Sequence, residues 1–240
     1  MSAAVPADEI AARRNRALET IARAAARAGR RGEDVALMAV TKTRSAETVR
    51  SAARAGIVLF GENRVQEGTA KIEALGTEFP AIAWRLIGPL QTNKAKSALQ
   101  WFSALETLDR ERLATRLEGI LAEAWPDRRL PVLLEVNVGG EASKSGVAPE
   151  EAPRLLEAAL ACPHLEVRGL MAVPPFDEDP ERSRPHFRRL ASLRERLAAD
   201  FRRPLPELSM GMSHDYAVAV EEGSTEVRIG TALFGPRPAP

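Results

Sequence analysis

Apolar positions along this chain follow two alternating patterns. Short runs rich in Val, Ile, Leu and Phe give way to longer stretches in which apolar residues return every three or four positions, and the alternation continues to the C-terminus. Short continuous or period-two runs mark strands, and the longer period marks amphipathic helices. A first strand is predicted over 35–40 with a helix over 46–55, a second over 57–60 with a helix over 65–75, and a third over 83–87 with a short helical piece over 93–99. The fourth, 101–105, precedes an amphipathic helix over 109–124. In the fifth, 131–138, Val132, Leu133, Leu134 and Val136 are nearly continuous, as in a strand covered on both faces. A helix follows Pro149, and a sixth strand over 167–173 leads to a long helix over 180–199. Two short strands, 207–210 and 227–229, are followed by a helix over 216–221 and a helical turn after Thr231.

Eight β/α units in this order predict an α/β protein built as one (β/α)8 TIM barrel over residues 1–240, its ordered core spanning 7–237. An open doubly wound sheet is the alternative arrangement of the same units. Ahead of the first strand, Ile10, Leu18, Ile21 and Ala25 share a helical face, with Arg13, Arg16 and Arg23 among the polar positions. This predicts an extra N-terminal helix. Its acids Asp8, Glu9 and Glu19 argue against a transit peptide. The patch 174–180 reads as a loop, and the tail 235–240 as frayed.

Composition narrows the function classes. The 240 residues are 45% hydrophobic and 28% charged, with a net charge of +1. That balance gives no electrostatic ground for nucleic acid or an anionic membrane as a partner. No apolar run approaches the roughly 20 residues that span a bilayer. The one cysteine, Cys162, cannot form an internal disulfide and fits a cytoplasmic protein with a packed thiol. His164, His186 and His214 lie far apart, without metal-ligand spacing.

Barrel chemistry gathers where strands end and βα loops begin. At those positions stand Lys42; Gly61, Glu62 and Asn63; Gly88 and residues 91–94; Glu106; Asn137, Gly139 and Gly140; Met171; Ser209 to Ser213; and Arg228, Gly230 and Thr231. Lysine is rare here, five among 34 Lys and Arg residues. Lys42, directly after the first strand, is therefore a candidate amine nucleophile, a role arginine cannot fill; the plain alternative is a lysine reaching solvent. Val227-Arg-Ile-Gly-Thr231 runs from a strand through Gly-Thr into a helical turn, and Ser209-Met-Gly-Met-Ser213 lies in the preceding unit. Free main-chain N–H groups and hydroxyls there suit a phosphate, although a tight turn would read alike. His214-Asp215 reads equally as the N-terminal cap of the next helix. Lys94 and Lys96 form either a basic rim at the mouth or a solvated helix face. Lys144, in the flexible stretch 139–147, is a weaker anchor than Lys42.

Ala39-Val-Thr-Lys42, Phe60-Gly-Glu-Asn63, Ile87-Gly-Pro-Leu-Gln-Thr-Asn-Lys94, Asn137-Val-Gly-Gly-Glu-Ala-Ser-Lys-Ser-Gly146, Leu208-Ser-Met-Gly-Met-Ser213 and Ser224-Thr-Glu-Val-Arg-Ile-Gly-Thr-Ala-Leu-Phe-Gly235 together resemble the pyridoxal phosphate homeostasis protein family. The likeness runs in order from about residue 7 to 237. It implies the barrel fold of alanine racemase and pyridoxal 5'-phosphate held as a Schiff base on Lys42. It also implies phosphate contacts from Ser209, Gly230 and Thr231, Arg228 at the pyridine nitrogen, and Asn63 and Met210 lining the pocket. Two positions depart from the family pattern at the expected pocket rim: Arg64 replaces an aromatic and Arg85 replaces a histidine.

The resemblance implies a regulator or carrier in cofactor homeostasis rather than an enzyme, with pyridoxal-phosphate-dependent apoenzymes as possible recipients. An arginine at the ring nitrogen disfavours its protonation and weakens the ring as an electron sink. The chain's one tyrosine, Tyr216, lies beside the phosphate loop, poorly placed as the second acid/base of a racemase. A low-activity amino-acid racemase or related Schiff-base enzyme is the alternative. Without the second domain of the racemases, a monomer is expected.

Overall fold

The computed structural model describes residues 5–141 and 144–236. Eight parallel strands, β1 (Ala36–Val40), β2 (Leu59–Glu62), β3 (Ala83–Leu86), β4 (Ala104–Leu108), β5 (Leu130–Glu135), β6 (Leu165–Met171), β7 (Glu207–Met212) and β8 (Glu226–Ile229), pair in chain order. β8 pairs back onto β1, with Ala36 opposite Glu226 and Ala39 opposite Ile229, so the sheet closes and leaves no edge. The open-sheet alternative is thereby excluded. Outside the barrel run α2 (Ala46–Arg54), α3 (Val65–Leu75), α4 (Ala95–Trp101), α5 (Glu111–Ala124), α6 (Ala152–Leu160), α7 (Arg184–Asp200), α8 (Tyr216–Glu221) and α9 (Thr231–Phe234), preceded by α1 (Ala7–Arg27). Within the tail expected to fray, residues 237–240 lie outside the described residues.

Alternation along each strand separates two interiors. Leu86, Leu105, Leu134, Leu208, Met210, Val227 and Ile229 join the apolar layer between sheet and helices. Their neighbours Arg85, Glu106, Ser209, Glu226 and Arg228 bond one another inside the barrel. α1 covers α2, α8 and α9 with Ile10, Ala17, Ile21, Ala24 and Ala25 buried. Arg13, expected on its polar face, reaches the Leu233 carbonyl at 3.1 Å. Arg30 joins α1 to the α8 end through the Val220 and Ser224 carbonyls.

Two predicted boundaries move enough to matter. The expected fourth strand begins at Trp101, but Trp101 closes α4, because Ala95, Ala98 and Leu99 continue the helical spacing and Phe102 N–H still bonds to the Ala98 carbonyl. β4 starts three residues later, which draws Glu106 from the mouth into the barrel wall. β7 runs two residues further than expected, to Met212. Gly211 makes that possible: its φ is +95°, and a Cβ there would lie 2.5 Å from Ala219 Cβ, so no other residue fits without displacement.

Candidate functional site

At the C-terminal ends of the strands the barrel opens into a cavity of about 390 Å³, a volume suited to a small organic ligand. β1 contributes Val40 and, two residues on, Lys42; Asn63 follows β2 and Ile87 follows β3. β8 contributes Arg228, with Gly230 and Thr231 at its end. Five of the seven residues expected at the site, Lys42, Asn63, Arg228, Gly230 and Thr231, thus face one space.

The structure places neither Ser209 nor Met210 among the cavity-lining residues. Met210 is fully buried in the apolar layer outside the barrel. Ser209 lies in the barrel interior, its hydroxyl 2.6 Å from Glu106 Oε2 and 3.1 Å from Glu226 Oε1 while accepting from Arg228 Nη1 at 2.5 Å. Ser213, unlike Ser209, lines the cavity. It is the first residue beyond β7, and its Oγ accepts from the main-chain N–H groups of Gly230 (3.0 Å) and Ala232 (3.3 Å). With β7 extended to Met212, Ser209 and Met210 lie deeper in the strand, and Met212 and Ser213 at its end line the cavity.

Arg228 is buried and aimed from two sides. Nη1 donates to Ser209 and Nη2 donates to the Ala172 carbonyl at 2.8 Å. Beneath it, Arg85 Nη1 lies 3.2 Å from Glu106, 2.9 Å from Glu207 and 3.1 Å from Glu226. Arg85 is therefore a barrel-interior residue, not a rim residue, and Arg64 is exposed at the start of α3, outside the cavity lining. Burial opposes the Arg85 charge, but Glu226, Glu106 and Glu207 outweigh it and hold its pKa above the ordinary value. Burial, and then the Glu106 charge, push the Glu226 carboxyl well above the usual range against the pull of Arg85.

Glu135, at the end of β5, is another buried acid. Burial and the Asp109 charge push it up to about 7, with Arg228 opposing, and its Oε2 has no hydrogen-bond partner. Between pH 4.5, the ordinary value, and about 7, the folded chain holds a proton that the unfolded chain has released. Stability from this group therefore falls as pH rises through that window and levels off above it. Glu135→Gln in the unliganded protein is expected to remove this loss, gaining roughly 3 kcal/mol at pH 8 and almost nothing near pH 4. Urea unfolding at both pH values measures it; equal gains at both would show that Glu135 does not titrate differently in the fold.

Sequence reasoning missed part of the wall. Val173 and Phe176 come from the loop after β6, and His214 from the one after β7. Phe176 is 72% exposed, and its ring lies 4.9 Å from that of His214. An aromatic residue in a Pro-rich loop just past a strand end was the available signal. His214 lines the cavity instead of capping α8. Asp215, at the helix start, accepts from Met212 N–H (2.7 Å) and from the Ser183 hydroxyl (3.0 Å). Asn63 Oδ1 and His214 Nε2, both on cavity residues, are buried without hydrogen-bond partners, as expected of groups that await a polar ligand. Lys94, Lys96, Lys144 and Tyr216 are absent from the lining. Lys144 Nζ donates to the Pro174 carbonyl at 2.9 Å and pairs with Glu141; Ser143, beside it, is outside the described residues. No group of three or more His, Cys, Asp or Glu residues that could hold a metal occurs among the described residues. No helix among them is long and apolar enough to cross a membrane.

Comparison with known proteins adds independent information. Residues 16–238 match the family described as alanine racemase, N-terminal domain. A protein of Aquifex aeolicus named pyridoxal phosphate homeostasis protein is 46% identical over 227 residues, covering 94% of this chain and 97% of that one. One of the same name from Pseudomonas aeruginosa is 46% identical over 226 residues, covering 91% and 95%. The solved structure of PipY from Synechococcus elongatus with PLP bound matches at a TM-score of 0.77 and 35% identity, over 84% of this chain and 93% of that one. Alanine racemase from Corynebacterium glutamicum matches at a TM-score of 0.69 and 18% identity, over 98% and 63%, and shares the fold.

Proposed function

The chain belongs to the pyridoxal phosphate homeostasis protein family, and on that premise we propose that it binds pyridoxal 5'-phosphate on Lys42 and acts as a carrier or regulator of that cofactor inside the cell. The observation that carries this reading is convergence. A lysine amine, a buried arginine and the strand-to-turn residues Gly230 and Thr231 face one cavity from β1 and β8, with Ser213 bonded to the Gly230 and Ala232 N–H groups beside them. The residues present fit the group, and the orphaned Asn63 and His214 atoms leave polar positions for its substituents.

Bound there, the cofactor supplies an aldehyde that joins an amine reversibly. Lys42 provides that amine. The Gly230 and Ala232 N–H groups, with the hydroxyls of Ser213 and Thr231, take the phosphate. Arg228 presents N–H donors to the ring nitrogen and, being permanently cationic, disfavours a proton on it. Ring protonation is what makes the ring a strong electron sink, so this arrangement favours holding over transamination. Tyr216 packs at the edge of the apolar layer, away from a position where it would serve as a second acid/base. A monomer that passes its cargo to apoenzymes completes the proposal.

Incubation of the protein with pyridoxal 5'-phosphate, borohydride reduction and peptide mapping test the reading. A pyridoxyl group on the Lys42 peptide is expected, with no wash-out of α-deuterium from added amino acids. An unmodified Lys42 would overturn the anchor, and deuterium loss would make the chain a Schiff-base enzyme.

A further inference from the structure

A second lysine lies beneath the first. Lys71, on α3, is only 5% exposed. Its Nζ donates to the Thr41 carbonyl (2.6 Å), to Glu62 Oε1 (2.6 Å) and to Glu67 Oε1 (2.7 Å). The Thr41 hydroxyl donates to the same Glu62 oxygen at 2.6 Å. Glu67 Oε1 also accepts from Thr43 N–H at 2.5 Å. The two residues on either side of Lys42 are thus gripped through their main chain, Thr41 by its carbonyl and Thr43 by its N–H, and both grips meet at Lys71.

The backbone shows why a grip is needed. Thr43 has φ +65°, a strained left-handed conformation that a β-branched residue keeps only when its surroundings impose it. The Arg44 N–H bond to the Thr41 carbonyl (2.9 Å) closes the turn, and the Glu67 bond to Thr43 N–H ties it to α3. A buried lysine between carboxylates is itself expensive unless every donor is satisfied, and here all three are. A hydrophobic residue at 71 would fill the gap between β2 and α3 more cheaply. The retained cluster therefore serves the turn more than the core.

We propose that Lys71 and Glu67 are positioning residues for Lys42, fixing the turn 41–43 so that the Lys42 side chain leaves β1 toward the cavity. The inference rests on Lys42 as the cofactor anchor, and the grip acts through hydrogen bonds to the main chain. Loss of the bond acceptor should then matter, while loss of charge alone should not.

The test uses Glu67→Ala, which frees Thr43 N–H, and Glu67→Gln, which keeps an acceptor oxygen there. Lys71→Met removes the lysine bond to the Thr41 carbonyl, leaving that of Arg44 N–H. Two readouts apply to each full-length chain: peptide-resolved labelling of Lys42 by acetic anhydride without cofactor, and the yield of the imine absorbance band at limiting pyridoxal 5'-phosphate. Glu67→Ala and Lys71→Met are expected to change the Lys42 labelling rate and to lower imine yield on the order of tenfold, with Glu67→Gln close to the parent in both. Equal Lys42 labelling and imine yield in parent and Glu67→Ala would overturn the proposal, as would a Glu67→Gln chain as impaired as Glu67→Ala. Should Lys71→Met not fold, the two Glu67 variants decide alone. Failure of the cofactor reading itself would appear separately, as a parent chain without any imine band, because the labelling series needs no cofactor.

Discussion

Lys42→Ala is expected to yield no borohydride-stable pyridoxyl peptide after incubation with pyridoxal 5'-phosphate, and Lys42→Arg is expected to fail as completely. The argument is one of chemistry and access. Imine formation needs an amine that can lose its proton, and a guanidinium, with a pKa above about 12, does not. The other four lysines cannot substitute. Lys71 has its donors on Thr41, Glu62 and Glu67, Lys144 is tied to Pro174 and Glu141, and Lys94 and Lys96 do not line the cavity. Non-covalent binding through the Gly230–Ala232 turn should survive at reduced affinity, so equilibrium dialysis would still detect ligand while the absorbance of the imine disappears. A pyridoxyl group that moves to Lys144 in the Lys42→Ala chain would show that the long loop after β5 reaches the cavity. One that persists at normal yield on another lysine would remove Lys42 from the site.

Arg85→Met is expected to destabilise the protein by about 3–5 kcal/mol, the second large effect. Arg85 faces Glu106, Glu207 and Glu226, and Glu106 has no exposed surface. Methionine fills much of the volume but leaves Glu106 with Ser209 as its remaining neutral donor, and Arg168 remains only for Glu207. The cost is that of an uncompensated buried charge rather than of lost packing. For a chain of this size the melting temperature should fall by roughly 10 °C. Adding Glu106→Gln to Arg85→Met should recover part of the loss, which a packing defect would not. Because Ser209 links Glu106 and Glu226 to Arg228, the same variant should also disturb Arg228, with no residue of the cavity wall changed. A loss below about 1 kcal/mol, or no recovery in the double variant, would mean that water or a shared proton already compensates Glu106.

Local pattern carried a large part of the architecture. The span of α3, 65–75, and that of α8, 216–221, coincide with the structure because apolar spacing and turn residues are properties of neighbours along the chain. The β5 run from Val132 to Leu134 read as a strand covered on both faces, and Leu134 packs outward while Leu133 stays out of the outer core. The placement of Lys42 after β1 and of Gly230 and Thr231 after β8 was equally legible, since a strand end two residues away fixes the mouth within narrow limits. In all these cases the order of residue types determined the eight-unit barrel and its principal candidate residues.

Tertiary structure alone decided the rest. Ser209 and Ser213 are four residues apart with similar chemistry, yet a strand two residues longer put one under Arg228 and the other at the mouth. A side chain's face depends on strand register, and register depends on pairing partners far away in sequence. Arg85 and Glu207 are 122 positions apart, and no local pattern connects them. The same holds for the burial that raises Glu135 and for the grip of Lys71 and Glu67 on the turn around Lys42. Charge and spacing are written along the chain, whereas the dielectric and the contacts that set what a charge does arise only when the barrel closes.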